Sequence, residues 1–341
     1  MTIIRTPSAL PLYLSRKIVS IAITIFVLAS CVFFMSSFSG WNPKVPRPRS
    51  STLATLDSSP DAKVTECPEH RRHISPEIWN AAKTKSDHLI DDKFTIVLQT
   101  YKRQQILNRT LHALLDEHVP SLLELHVVWN DQDTRPPRDF ISAHNVSVHF
   151  RKTPRNSMNE KFWPNPKYRT KAVLLHDDDV YYHPEDMEFV FQTWRKQGQD
   201  RIVGAFARMH VKADDDSQWV LGMAHDAYSV VMTGLVFIHI SFLQYWWSDD
   251  PLMAKIRDYV DALVNCDDIA MNFLVSAITC QPPLQVNGLL PPSNEEPKIA
   301  ISQAEGHPEK RLKCMRDLPK YFGSMPLKNT TIAIQHGQFP W

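Results

Sequence analysis

From Phe94 onward, apolar runs short enough for strands alternate with segments whose apolar residues recur every three or four positions. Phe94-Thr95-Ile96-Val97-Leu98-Gln99 reads as a strand, and Leu107, Leu111, Leu114 and Leu115 follow at helical spacing. Leu125 to Trp129, Val146 to Phe150 and Ala172 to Leu175 read as three more strands. A helix from Pro184 gathers Met187, Val190, Phe191 and Trp194 on one face, and Arg201 to Phe206 returns as a strand. Ser229 to His239 is apolar enough for one long core strand, and Ser241 opens a short helix carrying Phe242, Leu243, Tyr245 and Trp246. The run Tyr245-Trp246-Trp247 reads as packing rather than as a platform for a sugar. After Asn265-Cys266-Asp267-Asp268 comes a helix with the stripe Ile269, Ala270, Phe273, Leu274 and Ala277. Strands alternating with helices imply an α/β fold, a mainly parallel central sheet flanked by helices with right-handed crossovers.

The N-terminal pattern is different. Ile18 to Phe38 carries no charge and is long enough to cross a bilayer once as a signal anchor, leaving residues 1–17 as a tail. Residues 39–92, with Pro43, Pro46, Pro48 and Ser50 to Thr52, lack hydrophobic periodicity and read as a stalk, whose end from Pro76 to Leu89 can pack on the domain that follows. Residues 93–341, about 250 positions, suffice for one sizeable core. Arg5, Arg16 and Lys17 precede the span and Lys44, Arg47 and Arg49 follow it, so basic charge does not orient it. Three glycosylation sequons begin at Asn108, Asn145 and Asn329. The first falls inside a predicted helix, which leaves Asn145 and Asn329 as the expected acceptors. Cys67, Cys266, Cys280 and Cys314 follow the span, as an oxidising lumen allows. The reading is a single-pass type II arrangement with a lumenal domain.

Composition narrows the chemistry. Lys and Arg total 38 against 37 Asp and Glu, a near-neutral balance that gives nucleic acid no electrostatic footing. With only 9 glycines and no Gly-x-Gly-x-x-Gly, neither a dinucleotide site nor a glycine-rich phosphate cradle is expected. The informative run is Ala172 to Leu175 followed by His176 and Asp177-Asp178-Asp179. A buried strand there delivers three carboxylates to its C-terminal end, where ligands bind in open α/β sheets. Acids so placed call for a divalent cation of the oxygen-preferring kind, which in turn meets phosphate. Asp214-Asp215-Asp216 has no strand feeding it and reads as a surface turn. Asp267 and Asp268 sit at a helix start; the helix dipole alone can explain such a pair. A carboxylate near a sugar's reacting carbon, with a metal on the phosphates, is the sharper reading.

The segment from Phe94 to the end resembles the C-terminal domain of the exostosin-like glycosyltransferases. The resemblance rests on Gln99-Thr100-Tyr101-Lys102-Arg103, Val127-Val128-Trp129-Asn130, Asn156-Ser157-Met158-Asn159, Asp177 to Asp179 and Arg208-Met209-His210. It also rests on Asn265 to Phe273, Ser324 to Leu327 and Gln335 to Pro340. It implies a GT-A fold, a UDP-sugar donor, Mn²⁺ and retention of anomeric configuration. By the same resemblance Gln99, Arg103, Asn130 and Asn156 hold the uridine diphosphate. Asp177 and Asp178 contact ribose and donor sugar, Asp179 takes the metal, and Lys161 and Asp267 complete the donor site. Asp268 is the catalytic carboxylate, Arg311 binds diphosphate, and Cys266 pairs with Cys314.

Where relatives carry arginine, this chain has Glu160-Lys161, which keeps charge but not the planar fork; the other reading of Lys161 is a solvent-facing side chain. The expected activity is transfer of an N-acetylhexosamine or related hexose to a glycan or glycolipid acceptor in the Golgi or endoplasmic reticulum membrane, with room for a homo-oligomer. Two competing readings are a catalytically silent lumenal partner or chaperone of another transferase, and a metal-dependent phosphohydrolase using the same acids.

Overall fold

The structure is a computed structural model; it describes residues 73–213, 218–294 and 303–337. The span expected at 18–38, most of the stalk, Cys67 and the acidic triplet at 214–216 lie outside the described residues. Among the described residues no helix is long and apolar enough to cross a membrane.

A nine-stranded sheet organises the domain. Its centre is β5 (Thr170–Asp177), paired in parallel with β1 (Ile90–Thr100) and antiparallel with β11 (Leu235–His239). Outward from β1 lie β2 (Leu122–Trp129), β4 (Ser147–Lys152) and the edge strand β3 (Phe140–Ile141). Outward from β11 lie β7 (Val203–Gly204), β12 (Leu284–Asn287) and β14 (Ala333–Gln335). Only β11 and β3 run against the rest. The α/β reading with a mainly parallel sheet therefore holds.

Alternating side chains send the central strands into two cores. Val97, Val128, Val173, Leu175 and Val236 face one of them, and Ile96, Leu98, Val127, Leu174 and Phe237 the other. Helices α2 (Gln104–Leu115) and α3 (Pro184–Gln197) cover the second face, with Met187, Val190, Phe191 and Trp194 buried as their spacing requires. The first face is covered by α4 (Ile240–Trp246), α5 (Pro251–Leu263), α6 (Asp267–Thr279) and α7 (His307–Tyr321). The end of the segment read as a stalk folds as α1 (Pro76–Ser86), where Trp79 stacks on Phe242 of α4 at 4.9 Å. Helix α6 is not a one-sided stripe: every residue from Asp267 to Ile278 is buried, because α6 packs on α7 and into the first core.

Two strand readings need correction. Arg201 to Phe206 forms a strand only at Val203–Gly204. The long strand expected over Ser229 to His239 is two strands in different sheets. Val230–Val231 (β10) joins β8 (Ala207–Lys212) and β9 (Trp219–Met223), whereas Leu235–His239 is β11; a two-stranded pair of β6 (Val180–Tyr181) and β13 (Ser293–Asn294) completes the strands described. The chain turns at Thr233-Gly234, where an added Cβ at position 234 would lie 2.6 Å from Asp177 Oδ2, so the absence of a side chain leaves room for that carboxylate. Uniform hydrophobicity hid a corner marked only by a glycine, as close approach within an apolar run often is.

At the far end of β11, the His239 ring accepts from Ser241 N at 3.2 Å and caps α4. Burial, with the nearby Lys171 charge, lowers its pKa to about 4. An unfolded histidine titrates near 6.5, so between these values the unfolded chain binds a proton that the folded one refuses. Stability is full above pH 6.5 and falls as pH drops toward 4, by on the order of 3 kcal/mol for this residue. His239→Asn keeps the cap without titrating. Urea midpoints measured from pH 7 to 4.5 should fall less steeply in the variant; His176, also held at about 4 by burial, keeps part of the slope. An unchanged slope would reassign the effect.

Candidate active site

Because β1, β2 and β5 run in parallel, their C-terminal ends deliver Gln99, Thr100, Asn130 and Asp177 to one edge of the sheet. Asp178 is buried behind that edge. Thr100 Oγ1 donates to its Oδ2 at 2.6 Å and Thr110 Oγ1 donates to its carbonyl at 2.6 Å. Thr110 belongs to the Asn108 sequon and is itself buried, so it serves this loop. Arg103 donates to Asp179 Oδ2 at 2.7 Å and lies 2.8 Å from Asp178 Oδ1. That second approach is an ion pair out of line for a hydrogen bond, so Asp178 Oδ1 has a charge beside it but no hydrogen-bond donor. Burial, outweighing Arg103 and Thr100, pushes Asp178 up to about 7. Burial and the charge of Asp177 also raise Asp179.

The second acidic pair arrives through a strained corner. After α5, Val264 and Cys266 both adopt positive φ, 49° and 78°, uncommon for side chains with a Cβ. Asn265 Oδ1 accepts from Cys266 N at 2.8 Å, and Cys266 is joined to Cys314 of α7. Closing a loop of 48 residues stabilises by about 4 kcal/mol in the chain-entropy model. Cys280 is disulfide-bonded as well. Asn272 holds the corner from behind: its Nδ2 donates to Val231 O and Asp268 O, and its Oδ1 accepts from Val231 N. The α6 N-terminus is thereby pinned to Val231, the last residue of β10.

The two acidic groups meet across Lys161. Its Nζ lies 3.0 Å from Asp177 Oδ1 and 3.5 Å from Asp267 Oδ2, with the side chain 3 % exposed. The solvent-facing reading of Lys161 is therefore wrong. Sequence gave no sign of this, since the residue sits in a five-residue 3₁₀ turn, Met158–Phe162, with no periodicity of its own. That turn is anchored by Asn159, whose Nδ2 donates to Arg257 O and to Asp261 Oδ1, and by Ser157, which bonds Asp261 at 2.5 Å. Burial works to lower the Lys161 pKa, but Asp177 and Asp267 outweigh it and raise the value. Asp177 in turn is pulled below its usual range by Lys161 despite burial. Asp267 is raised by burial and by Asp268.

Asp268 faces Arg311, which donates to Oδ1 at 3.2 Å and to Oδ2 at 3.0 Å, a bidentate pair. Arg208 shares this neighbourhood: burial and the Arg311 charge lower its pKa, while Asp268 opposes them. Gln99 Nε2 and Asn130 Nδ2 both donate to Ser157 O, at 2.8 and 2.9 Å. Asn130 Oδ1 is buried with no partner. Asn156, next in the chain, is exposed at the same loop. Asn145 and Asn329 are exposed too. Sequence reasoning missed Thr100, Gly234 and Asp261 as supports of the site, since each acts through a contact distant in sequence.

The chain matches the glycosyl transferase family 64 domain over residues 94–339. It is 36 % identical over 240 residues to the Exostosin-like-3 homolog of Caenorhabditis elegans, covering 70 % of this chain and 28 % of that protein. It is 31 % identical over 267 residues to Exostosin-like 2 of Mus musculus, 73 % of this chain and 78 % of that one. Glycosylinositol phosphorylceramide mannosyl transferase 1 of Arabidopsis thaliana is 28 % identical over 272 residues, 73 % of this chain and 78 % of its own. The chain thus spans under a third of the nematode protein and most of the mouse and plant ones.

Removing the Lys161 ammonium leaves the buried Asp267 carboxylate facing the half-exposed Asp177. Lys161→Met should lower unfolding free energy by about 3 kcal/mol, read from guanidinium titration, the low end for a broken buried pair because Asp177 is partly exposed. A loss inside 0.5 kcal/mol, about what a surface substitution gives, would mean that the acids are neutralised in another way.

Proposed function

Because the chain belongs to glycosyl transferase family 64, we propose that this acidic edge carries out retaining transfer of an N-acetylhexosamine or related hexose from a UDP-sugar to a glycan or glycoconjugate acceptor. The observation that carries the reading is the Lys161 bridge, which brings the Asp177–Asp179 loop and the Asp267-Asp268 helix start to one place. The parallel sheet with ligand groups at its C-terminal edge supports a GT-A arrangement.

The roles follow from position. Asn130 Oδ1, buried and unmet, suits a ring N–H of the base, and Gln99, Arg103 and Asn156 line the same edge. Asp177 Oδ1 is held by Lys161 and can accept from sugar or ribose hydroxyls. Arg311 orients Asp268 with both oxygens fixed, so the carboxylate can stabilise positive charge at the anomeric carbon as the bond to diphosphate breaks.

A divalent ion fits the donor set in a particular way. Among the described residues no three His, Cys, Asp or Glu side chains form a metal cluster. Mg²⁺-like ions are commonly held by one or two carboxylates plus substrate phosphates. Asp179, partly exposed and raised in pKa, with Asp178 behind it, suits that role for Mn²⁺. A bound ion there would neutralise the departing diphosphate. We place the domain in the Golgi or endoplasmic reticulum lumen behind a span at 18–38.

The test uses the full-length chain and a panel of UDP-sugars. EDTA should abolish UDP release and Mn²⁺ restore it. Asp268→Asn should bind UDP unchanged by calorimetry while transfer falls about a thousandfold. Wild-type turnover in that variant would remove Asp268 from the chemistry. UDP binding with no transfer or donor hydrolysis in the wild type would favour the silent-partner reading.

A further inference from the structure

Asp186, in the first turn of α3, is a buried carboxylate that the acidic edge does not use; its side chain is 3 % exposed. Its Oδ1 accepts from Leu289 N and from His336 Nδ1, both at 2.7 Å, and its Oδ2 accepts from Leu290 N at 3.2 Å. Donors from two distant stretches of chain therefore converge on one side chain. Burial works to raise its pKa, but His336 and the two backbone N–H groups outweigh it and hold the value below the usual carboxylate range. The approach is close: a Cβ at position 288 would lie 2.3 Å from Asp186 Oδ2, so the missing side chain of Gly288 leaves room for the carboxylate. Phe189, also on α3, stacks on the His336 ring at 4.3 Å, and His336 N donates to Asn287 O at 2.9 Å.

The segment held in this way runs on into β13, which pairs antiparallel with β6: Ser293 lies opposite Tyr181 and Asn294 opposite Val180. Strand β6 begins directly after Asp179. The acidic turn is thus fixed from two ends. Upstream, Asp177 is the last residue of β5, at the centre of the nine-stranded sheet. Downstream, Val180 and Tyr182 seat β6 in the second core, and among the described residues its backbone pairs with β13 alone. Two strands of two residues each do not hold together by themselves in water. Their pairing needs β13 to be fixed from elsewhere, and the Asp186 hydrogen bonds fix the loop between β12 and β13 that leads into it.

We propose that Asp186 is a positioning residue for the acidic turn: by holding Gly288 to Leu290 it keeps β13 on β6, and so keeps Asp179 where the donor's diphosphate and a divalent ion would be gripped. The identity of that ligand rests on the transfer reading; the coupling between Asp186 and the turn does not. Loosening the turn weakens the grip on the donor in the ground state and the transition state alike, which raises KM and leaves kcat in place. The other end of the site has its own supports. Asp268 is held by Arg311, the Cys266–Cys314 bond and Asn272, none of which touches Asp186.

The experiment compares the full-length chain with Asp186→Asn, which keeps the size but leaves one oxygen for the converging donors, and with Gly288→Ala, which drives a methyl group into the carboxylate. Amide exchange read by mass spectrometry over residues 180–182 should quicken about tenfold in both, as the loss of one charge-assisted hydrogen bond gives. Exchange over residues 265–269 should stay at the wild-type rate. The donor KM with Mn²⁺ should rise about tenfold while kcat holds within about twofold. Circular dichroism checks both folds, and Gly288→Ala decides alone if the other variant unfolds. Unchanged exchange over 180–182, equal quickening over 265–269, quickened exchange with an unmoved KM, or a fall in kcat with KM unmoved would each overturn the proposal. If the wild type transfers from no UDP-sugar, the transfer reading falls and the exchange comparison alone decides whether Asp186 positions the turn.

Discussion

Three carboxylates, the buried Asp267 and Asp268 and the half-exposed Asp177, are brought together at a sheet edge, and such an arrangement is unstable unless positive charge enters with them. Lys161 supplies that charge where Asp177 and Asp267 meet, and Arg311 supplies it for Asp268. The two cations act differently. Arg311 presents a planar fork that fixes both oxygens of one carboxylate, whereas the Lys161 ammonium can reach two carboxylates from different elements. A point charge can thus join two anions where a fork grips one. The turn that carries Lys161 has no core of its own, so its position depends on Asn159 and Ser157 being held by α5 through Asp261 and Arg257.

The second requirement is backbone placement. Asp177 lies against the corner at Thr233-Gly234: its N–H donates to Gly234 O at 2.8 Å and its carboxylate occupies the space a side chain at 234 would take. Thr233 reaches Asp267 Oδ2 at 3.5 Å, and Asn272 ties Val231 to the first turn of α6. One bend in an apolar run therefore sets both the acid loop and the acid helix. The positive φ values at Val264 and Cys266 fit the same logic, strain held beside the acidic edge by a disulfide and a buried helix.

Legibility followed the physics of each element. The parallel strands were readable because both faces of β1, β2 and β5 are buried and their sequences are near-continuous apolar runs. Both acid groups were readable because each sits at the end of such a run or at a helix start. The corner inside Ser229 to His239 was not, since both halves are equally apolar and one glycine carries the signal. Lys161 was not either, because burial of a charge is decided by partners 16 and 106 positions away in the chain. The stripe on α6 was correct but incomplete: hydrophobic periodicity reports one neighbour, and α6 has several.

As it stands, the edge has few idle groups. Gln99 and Asn130 spend their amide donors on Ser157 O, and Arg103 is occupied by Asp179. Any nucleotide diphosphate that uses these side chains must exchange those bonds rather than add to them, so its net gain is the difference between two sets of contacts. The Arg103 exchange is the most consequential. Moving that guanidinium onto a phosphate would uncover Asp179 and deprive Asp178 of its nearest cation, deepening the local negative potential where a divalent ion would sit. Donor and cation would then favour each other's binding through one arginine, and neither need bind tightly alone.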